Sequence, residues 1–175
     1  MKQKDANSLF SEVIDYEIDA QCVQSSAIIP YLFRSYLFGK SLYITDIFPK
    51  MWENENDCFK RIISREGYAV NMRRLSVTCL YIFFHHHAER DATAIMVVSG
   101  SYEPQEDEAQ VSRKLRLYWA FFQPLFETLS IKAVKMFDLN AFALLRKDNP
   151  ISEEQIINHY KLFKSQQKNN NINNI

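Results

Sequence analysis

The run His85-His86-His87, followed by Glu89 and Asp91, gathers metal-capable side chains in one short stretch, and imidazole is the commonest transition-metal ligand in proteins. Its spacing works against a shared metal. Consecutive side chains on a strand alternate between faces, so His85 and His87 alone would meet one ion, leaving Glu89 or Asp91 to complete the set. No Cys-x-x-Cys or His-Glu-x-x-His spacing accompanies them. The expected role is a solvated hairpin end, with no bound metal.

Gly39-Lys40-Ser41 copies the close of a phosphate-binding loop, in which backbone N–H groups surround a phosphate. That motif requires a glycine at position 34, and the chain has Arg34 there. A helix cap followed by a strand accounts for these residues instead. With three glycines in the whole chain, a dinucleotide fingerprint has no material to be built from, and no cofactor is expected.

Nucleophilic catalysis needs a thiol or hydroxyl beside an imidazole. Cys22, Cys58 and Cys79 are an odd number of widely spaced thiols at apolar positions, which suits buried cysteines in a reducing compartment. His159 stands alone near the tail. The carboxylates of Glu12, Asp15 and Asp19, and of Glu106, Asp107 and Glu108, fall where exposed helix faces and helix starts are expected. No acid and base are singled out, so the expectation is a protein that is not an enzyme.

Lys plus Arg and Asp plus Glu both number 21, and a balanced chain has no net field to attract nucleic acid or an anionic membrane. The small basic groups Arg73-Arg74, Arg113-Lys114-Arg116 and Lys132 with Lys135 read as solvated faces. The first residues carry no apolar signal-peptide core. Ala27 to Phe38, the nearest approach to a membrane span, is interrupted by Pro30 and Arg34. A cytoplasmic protein without membrane insertion is expected.

These side chains must be positioned by a fold, and 47 % hydrophobic residues in 175 are enough for one full core. Leu9, Phe10, Val13, Ile14 and Ile18 predict a helix over 8–22. A second helix is predicted from Pro30 to Gly39, a short strand at Leu42 to Ile44, and a third helix capped by Asp46 and running to Gly67. The central feature is a long hairpin made by the apolar runs Val77–Phe84 and Ala92–Val98. Pro104 then opens the longest helix, with Val111, Leu115, Tyr118, Trp119, Phe122, Leu125 and Leu129 as its stripe and a kink at Pro124. Ile131 to Leu145 reads as a shorter hairpin turning at Asp138-Leu139-Asn140. Ser152-Glu153-Glu154-Gln155 is a capping box for a last short helix. The fold class is α+β: one domain over 1–164, an antiparallel sheet built on the central hairpin with amphipathic helices on it, and a disordered Asn-rich tail over 165–175.

Aromatic residues crowd the second helical segment and the long one on more than one side. Such a segment is either buried on both sides, in a three-layer core, or offers one side to a partner. The interface reading selects Tyr36, Phe38, Trp119, Phe121 and Phe122 as anchors, since aromatic residues are enriched at protein interfaces. The competing reading places the same rings around a small-ligand or catalytic pocket with His85, His87 and Glu89 at its mouth.

The order of elements, a short strand at Leu42 to Ile44, the turn and cap Thr45-Asp46-Ile47-Phe48, a helix, two long strands and a long helix, resembles the small cytosolic adaptors and chaperones of bacterial secretion machines. Over residues 40–130 it is similar to adaptor subunits of Dot/Icm type IV secretion systems. That resemblance implies a non-enzymatic subunit that pairs with another protein, as a hetero- or homo-oligomer, and helps present effectors to a coupling ATPase. It assigns a role to no individual residue.

Overall fold

The computed structural model describes residues 2–4, 9–23, 25–54, 70–100 and 111–172, with side chains at 9–23, 25–54, 70–100 and 111–169. Seven strands form one sheet: β1 (Lys2–Lys4), β2 (Glu12–Gln21), β3 (Ile28–Phe38), β4 (Leu42–Pro49), β5 (Ile95–Ser99), β6 (Ile131–Met136) and β7 (Ala141–Arg146). Their order is β1-β2-β3-β4-β5-β7-β6. Every neighbouring pair is antiparallel except β4 and β5, which run parallel. Helices α1 (Met72–Phe83) and α2 (Arg113–Phe122) cover one face, and α3 (Glu153–Ile172) covers the other. The α+β class expected from the sequence is what the chain forms, in three layers.

The two helices expected before residue 40 are strands β2 and β3. In β2, Ile14, Tyr16, Ile18 and Ala20 alternate with Asp15, Glu17, Asp19 and Gln21, so a period of two coexists with the helical one. Its β-branched residues and tyrosine favour the strand. In β3 both sets of alternate residues are apolar because the strand is central: Tyr31 and Phe33 enter the core under α1 and α2, while Tyr36 and Phe38 pack on the α3 side. Tyr31 and Phe33 are wholly buried, and each such ring contributes roughly 2 kcal/mol of apolar burial. Gly39 does end the segment in the left-handed region, at φ 67°, but the turn it makes joins two strands.

Both prolines of this region sit where a strand tolerates them. The Cys22 N–H donates to the Ala27 carbonyl at 2.9 Å, which sets the alternation: even residues of β2 and odd residues of β3 bond each other. Pro30 therefore faces the β4 side one residue beyond the last ladder pair, Tyr31 with Pro49. Its missing N–H costs no sheet bond. The helix expected from Asp46 is corrected likewise: Asp46, Phe48 and Pro49 complete β4, and Lys50–Trp52 follow as a 3₁₀ turn. The rest of that expected helix lies outside the described residues.

The central hairpin is not formed. Val77–Phe84 is the C-terminal part of α1 and the start of a π turn (Phe84–Ala88), and of the two runs only the second becomes a strand, β5. A run that is apolar on all sides carries neither period, and the upstream residues decide. Leu75, Cys79, Leu80 and Phe83 line one helical face, and the Asn71 side chain caps the start by accepting from the Arg74 N–H at 3.0 Å. The crossover from β4 to β5 through α1 is what makes those two strands parallel.

Helix α2 starts after Ser112, whose hydroxyl accepts from the Leu115 N–H at 3.3 Å; Pro104 and the acidic residues expected to open it lie outside the described residues. Pro124 ends the helix in a 3₁₀ turn, Gln123–Leu125, rather than kinking it. The second hairpin forms as expected, with Asn140 left-handed at φ 49°. Asn140 also ties three elements together: its side-chain oxygen accepts from the Ser112 N–H at 3.0 Å and its carbonyl from the Gly100 N–H at 2.8 Å. The Ser152 and Gln155 capping box forms in both directions. The helix it opens is the longest, with twenty residues against ten in α2, and continues to Ile172. No described helix is long and apolar enough to cross a membrane.

Candidate functional site

On the α3 side of the sheet, Asp15, Arg34 and Asp46 are direct cross-strand neighbours on β2, β3 and β4. Arg34 donates to both oxygens of Asp15, at 2.6 and 2.8 Å, and to Glu53 at 2.9 Å, with its guanidinium over the Phe48 ring at 5.3 Å. The bonds to Asp15 push the Arg34 pKa further up, so the cation is permanent. Its side chain is 11 % exposed and that of Asp15 7 %. A bidentate pair this dry is held by geometry.

Asp46 stands apart from those bonds. No described side chain donates a hydrogen bond to it, and burial raises its pKa against the opposing charges of Lys114 and Arg34. It lies in the interior of β4, beside Ser99 at the carboxyl end of β5. A crevice beside it, lined by Asp46, Ser99, Lys114 and Tyr118, has a volume of about 10 Å³, room for a single water.

The three histidines diverge because they sit in the π turn and not on a strand. His87 is buried against Tyr43 and Phe83, with ring centroids at 4.3 and 5.1 Å, and its Nε2 meets the Tyr16 hydroxyl at 3.1 Å. Burial lowers the His87 pKa to about 4 and raises that of Tyr16 to about 12. His86 lies 5.2 Å from the Tyr16 ring, while exposed His85 pairs with Glu89 at 3.1 Å and stacks on Tyr81. His85 and His87, expected on one face, are on different sides of the turn, and His87 is in the core instead of at a solvated hairpin end. Among the described residues no three metal-capable side chains converge.

The other candidates are placed as follows. Cys79 is fully buried and its thiol pKa is pushed up, while Cys22 is buried at the end of β2; Cys58 lies outside the described residues. His159 is exposed on α3. Gly39-Lys40-Ser41 is the β3–β4 turn, with the Ser41 carbonyl accepting from the Ile95 N–H at 2.8 Å. Lys132 is held by Glu153 at 3.1 Å and Lys135 lies over Trp119 at 5.0 Å.

The five residues selected as interface anchors fall into two groups on opposite faces. Tyr36 packs on Phe10 and Phe38 on Phe163, under α3. Trp119 and Phe122 both meet the Phe142 ring edge-on under α2, Phe122 is buried, and Phe121 is half-buried in the same layer. They share no surface. Two of the strongly exposed apolar side chains were not signalled by periodicity, since a turn residue and a strand end carry no period: Val23 and Ile28, 62 % and 59 % exposed, at the β2–β3 turn. Both line an open groove of about 490 Å³ between that turn and the first turns of α1, with Ile18, Ala20 and Leu75 as its apolar floor and Asp19, Gln21, Asn71 and Arg74 at its rim.

No protein-family model, curated protein or solved structure matches the chain.

Proposed function

We propose that the protein is a non-enzymatic, adaptor- or chaperone-like subunit that works by binding another protein. The observation that carries this reading is the groove beside the β2–β3 turn, where two large apolar side chains stand in solvent above an apolar floor with a polar rim. That is the anatomy of a protein interface. The aromatic surplus is divided between the two cores, with Phe122 buried and Tyr36, Phe38, Trp119 and Phe121 partly buried against them, so these five support neither one anchor surface nor an aromatic-lined ligand pocket. The likeness to secretion-system adaptors drew on two long strands, one of which is α1; the reading therefore rests on the groove.

The crevice beside Asp46 favours a small-molecule reading, and its volume admits only a water-sized guest. Affinity isolation of the tagged chain from its native cell separates the two. A partner retained by the native chain, lost with Val23→Glu plus Ile28→Lys and kept with Leu162→Lys on α3, is the expected result. Retention indifferent to the groove substitutions contradicts it.

A further inference from the structure

We propose that the outer edge of β2 is a strand-addition site for an extended peptide of alternating apolar and basic residues, supplied by a partner protein. This rests on the protein-binding reading and gives it a mode. Because the even residues of β2 bond β3, the odd residues present both N–H and C=O to the other side. Strand β1 takes up Val13 and Asp15, and Val70 bridges at Cys22. Between them, the outward backbone groups of Glu17 and Asp19 have no partner strand among the described residues. An open edge of this kind is a template for another chain.

The groove follows that edge. Five consecutive residues of the β2 end, Ile18 to Cys22, line it, and consecutive strand residues point to opposite faces. A cavity that touches them all wraps the edge and does not lie on one face. The first turns of α1 form its far wall.

The chemistry of the occupant is set by what the edge exposes. Ile18 and Ala20 face the α1 side and call for apolar residues at alternate positions. Glu17 and exposed Asp19 face the other side; Glu17 already holds Lys50 at 2.6 Å, and Asp19 accepts no hydrogen bond from a described residue. The strand the chain itself lays on this edge is Lys2-Gln3-Lys4. A second copy is disfavoured, because two β2 edges would set carboxylate against carboxylate. At the opposite border of the sheet, β6 carries Lys132 and Lys135, the residue type that guards an edge.

The probe is a labelled synthetic peptide of about five residues alternating valine and lysine, compared with its valine–glutamate counterpart, on the full chain. Binding of the lysine peptide slows hydrogen exchange at the Glu17 and Asp19 amides, and the glutamate peptide binds at least about tenfold more weakly. Asp19→Pro removes an outward N–H that β3 does not use, so it weakens the lysine peptide at least about tenfold with an unchanged unfolding midpoint. Asp19→Lys, a surface change, shifts preference toward the glutamate peptide. No binding of the lysine peptide, free exchange at both amides in its presence, or indifference to both substitutions overturns the site. A native partner lost with the Val23 and Ile28 substitutions but kept with Asp19→Pro leaves the protein-binding reading standing and this mode fallen.

Discussion

The Tyr16 hydroxyl and His87 Nε2, 71 positions apart in the chain, lie 3.1 Å from each other in the layer between β2 and the π turn. Burial holds His87 neutral, with a pKa of about 4 against an ordinary 6.5. Between those values the unfolded chain binds a proton that the folded chain refuses, so stability is complete above about pH 6.5 and falls as the pH drops toward 4. The loss is on the order of 3 kcal/mol. Urea unfolding at pH 7.5, 5.5 and 4.5 measures it. His87→Phe lowers stability at pH 7.5, by leaving the Tyr16 hydroxyl without its partner, and flattens the dependence over this window; an unaltered slope contradicts the assignment.

Arg34 neutralises the nearly dry carboxylate of Asp15 and the partly exposed one of Glu53. Arg34→Ala removes a bidentate donor from Asp15 and one donor from Glu53 and is expected to cost about 3–5 kcal/mol, the range for breaking a buried pair on one side. Asp15→Asn keeps the shape and one acceptor and costs less. Denaturant midpoints of the two variants decide, and a loss for Arg34→Ala under about 1 kcal/mol would place the network among exposed pairs.

Gly100 is required by a close approach. A Cβ there would overlap the Ser112 hydroxyl and come within 2.7 Å of both the nitrogen and the oxygen of the Asn140 side chain. Those two residues cap α2 and turn the β6–β7 hairpin, so neither can retreat freely. Gly100→Ala is expected to destabilise by about 1–3 kcal/mol, in contrast to the few tenths typical of an exposed site, read from the thermal midpoint.

How far the fold could be read from sequence follows from where each signal resides. The Ser152–Gln155 cap and the turn at Asn140 are contained within a few residues, and both form as read. The strands β2 and β3 are not, because Leu9, Val13, Ile14 and Ile18 satisfy a helical period as well as Ile14, Tyr16 and Ile18 satisfy a strand. The choice is made by Arg34 meeting Asp15 across the ladder, a contact that exists only once the strands pair. Val77–Phe84 carries no period at all, so its helix was decided by Asn71 and Leu75 upstream. The groove was invisible for a related reason: Val23 and Ile28 are unremarkable in sequence, and only the bend of the hairpin against α1 turns them into a surface.

On the proposed function this groove, and not the aromatic layers, meets the partner. A photo-crosslinking amino acid at Ile28, with a second chain carrying it at Leu162 on α3 as the comparison, tests it directly in the native cell. A discrete protein adduct at Ile28 and none at Leu162 is the predicted result. Equal labelling at both positions, or an adduct at Leu162 alone, contradicts it.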